Sequence, residues 1–109
     1  MATSSMNKSA LFFMGQQVTH KLFDYRGVIF DVDPEFSGTE EWYAQMAKSS
    51  PPKDKPWYHV LVHDAGHTTY VAEQNLEVHD GNEYIDHPLL SAFFDGFNDG
   101  IYSPKRNLN

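Results

Sequence analysis

A chain of 109 residues with 15 Asp and Glu against 8 Lys and Arg, a formal net charge of −7 and no cysteine has room for one acidic domain and not for a second, catalytic one. The missing thiols exclude a disulfide framework, a thiolate zinc site and a cysteine nucleophile, and a composition 40% hydrophobic and 15% aromatic excludes a disordered chain. The acid excess also counts against an unaided nucleic-acid binder, whose affinity comes largely from cations set on phosphates.

Residues 1–9 are small and polar and read as a flexible start. The run Ala10-Leu11-Phe12-Phe13-Met14 is too short for a signal-peptide core or a bilayer span. The expected location is therefore the cytoplasm, with no membrane partner. Gly15-Gln16-Gln17-Val18-Thr19-His20 opens the first strand, and Asp24-Tyr25-Arg26-Gly27 punctuates a turn. In Val28-Ile29-Phe30-Asp31-Val32-Asp33, alternation sets Val28, Phe30 and Val32 on one face and Ile29, Asp31 and Asp33 on the other. Pro34 has no amide for a ladder and ends that strand.

Residues 35–56 form a long polar loop, in which Thr39 can cap one or two helical turns over 40–47. Three prolines in six residues, Pro51, Pro52 and Pro56, stop the helix. A hairpin follows. Trp57 to His63 is aromatic and β-branched, Asp64-Ala65-Gly66 turns with Gly66 free to take a positive φ, and His67 to Ala72 returns. Glu73-Gln74-Asn75 predicts a single helical or 3₁₀ turn, and Leu76-Glu77-Val78 a last short strand. Apolar residues at 89, 90, 93, 94 and 97 share one face of a helix that Pro88 can begin. Together these elements predict a mainly β fold. It is a small SH3-like barrel of about five bent antiparallel strands, with a loop over about 35–56 and a short C-terminal helix. One domain spans 10–102, and 103–109 is a flexible tail.

Charge is unevenly spread. Residues 1–30 sum to +2, residues 31–109 to −9, and no Lys or Arg occurs over 56–104. The histidines give no strong metal signal. His59 and His63 share a strand face but stand about 13 Å apart at about 3.3 Å per residue. His63 and His67 flank the turn and are the nearest approach to a metal pair; ordinary hairpin histidines account for them better. Asp31 and Asp33 fit a solvated strand face before Pro34 better than an acid–base pair. Nucleophile-elbow and phosphate-loop motifs are missing. The reading is no enzyme, no catalytic residue, no cofactor and no metal. Along the hairpin, Tyr58, Val60 and Val62 form the expected core face. Trp57 and His59 then lie on a partly exposed face. With Tyr25, Arg26 and Tyr70 they make an aromatic, mildly basic patch of a kind that binds peptides or stacked bases. Lys105 and Arg106 in the tail are a further candidate contact.

Three stretches carry a resemblance. They are Gly15 to His20 with Tyr25 to Pro34, then Pro56-Trp57-Tyr58-His59-Val60-Leu61-Val62, then Thr69-Tyr70-Val71-Ala72-Glu73-Gln74-Asn75-Leu76. In this order and spacing the chain resembles the YccV-like hemimethylated-DNA-binding domain family. The resemblance implies a small bacterial cytoplasmic stress protein with an SH3-like barrel and no enzymatic activity. It further implies a heat-shock quality-control role, in which damaged or specific proteins are turned over by a Lon-type ATP-dependent protease. Binding to hemimethylated DNA is the alternative that the family name carries, and homo-oligomers fit the family. The acidic stretch ranks protein partners ahead of DNA.

Overall fold

Strands form where β-branched and aromatic residues alternate between turn-forming residues. The computed structural model describes residues 10–106; the start read as flexible, 1–9, and the end of the tail, 107–109, lie outside the described residues. Strands β1 (Gln17–His20), β2 (Arg26–Asp33), β3 (Trp57–Val62), β4 (Thr68–Ala72) and β5 (Leu76–Val78) make one antiparallel sheet in the order β4-β3-β2-β1-β5. Helix α1 (Glu40–Met46) stands in the long loop, with the Thr39 hydroxyl accepting the Trp42 amide at 3.1 Å, the cap that its sequence predicts. A 3₁₀ turn, Glu73–Asn75, joins β4 to β5. No described helix is long and apolar enough to cross a membrane.

The C-terminal segment differs from its helical reading. Only one turn, α2 (Leu90–Phe93), is helical, and Phe94 is already extended at φ −130 and ψ 145. The chain continues as a second sheet of two strands, β6 (Phe94–Asn98) and β7 (Ile101–Pro104). Asp99 at φ 55 and Gly100 at φ 87 form the connection, both left-handed as a two-residue hairpin turn requires. An Asp-Gly pair between apolar runs is the signal that the helical spacing of 89–97 obscured. Ser103 and Pro104, read as tail, belong to β7. The hairpin after β3 also turns differently, since Asp64 at φ 60, not Gly66, takes the positive φ.

Two cores flank the main sheet. Tyr58, Val60, Ile29, Val18 and Val71 pack with Phe12 and Leu76 on one face. Val28 and Leu61 pack with Ile85, Phe94 and Tyr102 on the other. The expected exposed face of β3 is therefore closed: Leu61 is buried under the C-terminal hairpin, and Trp57 is 1% exposed. A strand buried on both faces has no solvent side for alternation to reveal. A register shift in β2 between Ile29 and Asp31 also breaks the expected alternation. Val28 and Phe30 pack toward one core, but Val32 joins Ile29 at the other. The extra residue turns Asp31 and Asp33 to the side of Phe30.

Gly15 joins the two sheets. Its amide donates to the Ile29 carbonyl at 2.8 Å, and its carbonyl accepts the Tyr102 amide at 2.9 Å. At φ +95 it holds a backbone that L side chains rarely adopt, and an added Cβ would run into the Tyr102 carbonyl. Gly15→Ala is expected to destabilise the fold by about 3 kcal/mol through strain and the lost junction. Urea unfolding measures it, and a loss under about 1 kcal/mol would show that the hairpin docks without this junction.

Candidate functional site

The site lies at a seam. The C-terminal hairpin covers the Leu61 end of β3, and the 34–56 loop covers the Trp57 end. His59 sits between them.

The loop is anchored by rings. Phe36 contacts Trp57 at 4.8 Å between centroids, Tyr43 at 5.3 Å, and Trp42 and Tyr70 at 5.9 Å each. The Trp57 indole N–H donates to the Pro52 carbonyl at 3.0 Å, and the Tyr43 hydroxyl donates to that of Pro51 at 2.6 Å. Prolines thus supply the acceptors for the buried Trp57 indole and the half-buried Tyr43 hydroxyl. Lys53 Nζ lies 2.7 Å from Glu40 and 4.4 Å from the centre of the Tyr43 ring. These contacts hold α1 beside the sheet edge.

Strand pairing assembles the polar part. Asp31 and Tyr70 flank His59 as its partners on β2 and β4. Asp33 lies two residues further along the same side. The Tyr70 hydroxyl donates to Asp33 Oδ2 at 2.6 Å and accepts the Ser37 amide at 2.9 Å. His59 Nε2 is 3.1 Å from the same Asp33 oxygen, an ion pair when the imidazole is protonated. Burial, reinforced by the bond to Asp33, pushes the Tyr70 hydroxyl well above its ordinary 10.0. Asp33, His59, Tyr70 and Trp42 line an open hollow of about 500 Å³, with Ser37 and Thr39 on its rim. Asp31, Asp33 and His59 each bring a donor atom within 4.8 Å of the others, a donor set that suits a divalent cation, and it is the one such group among the described residues.

A second hollow of about 540 Å³ shares Trp42, His59 and Tyr70 with the first and continues along β4. One wall is the turn after β1, with Leu22 62% and Phe23 74% exposed, and the other is the end of α1, with Met46 61% exposed. His20 Nδ1 accepts the Leu22 and Phe23 amides at 3.1 Å each and fixes that turn. The His20 ring stacks on Phe23 at 4.7 Å, and its burial lowers its pKa below 6.5. The Tyr25 hydroxyl reaches Thr69 Oγ1 at 2.7 Å and ties the turn to β4. Lys48 is the one Lys or Arg among the described lining residues of this groove, and none of them is Asp or Glu.

Tyr25, Trp57, His59 and Tyr70 therefore share one groove, as their sequence suggested, although Trp57 is its covered floor and not an exposed contact. Arg26 does not join them. Its register places it at the far end of β2, where Nη2 donates to the Tyr84 carbonyl at 2.6 Å. Lys105 and Arg106 are exposed beyond β7 and line neither hollow, with the Lys105 amide on the Phe93 carbonyl at 2.8 Å. The basic character expected of the patch is reversed at its Asp31–Asp33 end. His63 and His67 belong to no group of three metal donors among the described residues; His63 Nδ1 accepts the Asp86 amide at 2.9 Å, and the His67 carbonyl faces His87 Nε2 at 2.9 Å. Phe23 and Trp42 are site residues that the sequence reading passed over, and Asp33 is one that it assigned to a solvated strand face. The apolar pair Leu22-Phe23 inside a turn was the available signal.

One family model, described as hemimethylated DNA-binding protein YccV like, matches residues 10–101.

Two outcomes follow from the titrating groups. A raised folded value means that the Tyr70 contribution is complete below pH 10 and falls as pH rises past it. Tyr70→Phe is expected to cost about 1 kcal/mol at neutral pH and to remove part of the alkaline decline in urea-measured stability; an unchanged alkaline slope would contradict it. His20 has the opposite sign. Its lowered value places its contribution above pH 6.5 and removes it as pH falls. The Leu22 and Phe23 amide resonances should shift together below pH 6.5, and static resonances down to pH 5 would contradict this role.

Proposed function

The chain belongs to the family of YccV-like hemimethylated-DNA-binding proteins, and from that membership we propose that it is a cytoplasmic, non-enzymatic quality-control factor that promotes degradation of damaged or specific proteins by a Lon-type ATP-dependent protease. The observation that supports this reading is the groove along β4, an apolar, aromatic channel with exposed Leu22, Phe23 and Met46 at its rim. Exposed apolar side chains around a concave slot favour a polypeptide ligand. The acidic chain supports it as well, because a duplex would meet a surface with no Lys or Arg over 56–104. Of the described cations, Arg26 is directed at Tyr84 and Lys53 at Glu40.

The family match favours a second reading, binding to hemimethylated DNA. Reconstituted turnover separates the two. Adding the protein should speed degradation of a non-native substrate by the Lon-type protease severalfold, and Phe23→Asp, at an exposed position, should abolish most of the gain. No acceleration would overturn the proposal. A salt-sensitive gel shift that prefers half-methylated over fully methylated duplex, with turnover unchanged, would establish the alternative.

A further inference from the structure

We propose that the outer edge of β4 receives an extended peptide as an added strand, and that the hollow over Asp33 takes a Lys or Arg side chain of that peptide. This rests on the reading of the chain as a protein-binding factor and names the class of segment it selects.

The strand edge supplies the backbone half. β4 ends the sheet order, with β3 as its one ladder partner among the described residues. The Val62 amide donates to His67 and the Glu73 amide to Pro56, which fixes the alternation of the β3–β4 ladder. The backbone groups of Thr68, Tyr70 and Ala72 consequently point away from β3, with Thr68 exposed, Tyr70 half-buried and Ala72 buried, so the open part of the edge is Thr68 to Tyr70. Such an edge invites a further strand. The Leu22–Phe23 turn and the end of α1 leave a slot of about 540 Å³ beside it, so alternate side chains of the added strand have apolar walls on both sides.

Charge supplies the specificity. The slot opens at one end into the hollow that holds Asp33, with Asp31 adjacent. Asp33 uses Oδ2 for Tyr70 and His59, and among the described residues Oδ1 has no hydrogen-bond partner and is open to a cation. Its carboxylate side chain is 23% exposed, and the rings of Trp42 and Tyr70 stand beside it, 5.6 Å apart between centroids. A carboxylate flanked by aromatic rings is the environment that holds an ammonium or guanidinium group. Lys48, just past the end of α1, also lines the slot and repels a second cation. The preferred segment is therefore apolar with a basic residue at the Asp33 end.

Fluorescence anisotropy with the full-length chain tests this. The probes are a labelled peptide of one Lys followed by alternating Val and Leu, the same peptide with Glu for Lys, and a backbone N-methylated version. The Lys peptide should bind about tenfold tighter than the Glu peptide, and N-methylation should abolish binding. Asp33→Asn should erase the Lys preference. Because Asp33 also holds Tyr70, Asp31→Asn at an exposed position is the second variant and should reduce the preference in a protein that keeps its fold. Equal binding of the Lys and Glu peptides, or a preference untouched by both variants, overturns the proposal. Loss of binding in EDTA also overturns it and assigns the acidic end to a divalent ion. Accelerated turnover without peptide preference sinks this inference and leaves the proposed function standing; a Lys preference without acceleration supports the inference and sinks the protease role.

Discussion

The structure depends on burying β3 on both faces. Tyr58 and Val60 point to one core and Leu61 to the other, while Trp57 packs under the 34–56 loop, and none is more than 1% exposed. A short sheet cannot cover its own second face, so other segments must do so. The C-terminal hairpin closes over Leu61, and the proline-rich loop brings Phe36, Trp42 and Tyr43 over Trp57. Burial of large apolar side chains at about 25 cal/mol per Å² makes these covers worth several kcal/mol, enough to order a loop that would otherwise remain open.

Among the described residues, no backbone hydrogen bond or ring contact joins the two covers. His59, between Leu61 and Trp57 on the same side of β3, lies under neither. The gap becomes chemically distinctive through the irregular residue in β2. The shift at Phe30 swings Asp31 and Asp33 to the His59 side, where β4 presents Tyr70. Bulges re-aim side chains in this way. The acidic end of the groove follows from one extra residue in one strand.

Much of this was legible in the residues. The five main strands, the Thr39 cap, the 3₁₀ turn and the joint presence of Tyr25, Trp57, His59 and Tyr70 follow from alternation, capping chemistry and hairpin register, all of which act over a few residues. The second core was not legible, because apolar residues on both faces of a strand look the same whether they are paired with solvent or with a distant hairpin. The segment 89–97 satisfied a helical spacing and showed no clean strand alternation, since its strand is irregular between Phe94 and Gly96. Asp99-Gly100 decided against the helix, since two left-handed residues in succession favour a tight hairpin over a helix end.

The sequence by itself determined the class of fold, the acidity of the chain, the capped helix and the family. These rest on local propensity, composition and motif spacing. Only the tertiary structure decided that Arg26 is carried away from the groove and that Asp31 and Asp33 are brought to it. The first depends on the pairing of Arg26 at the start of β2, and the second on where a register shift falls between strands distant in sequence. The physical reason is that side-chain alternation has a period of two, so one inserted residue inverts every later position on the strand.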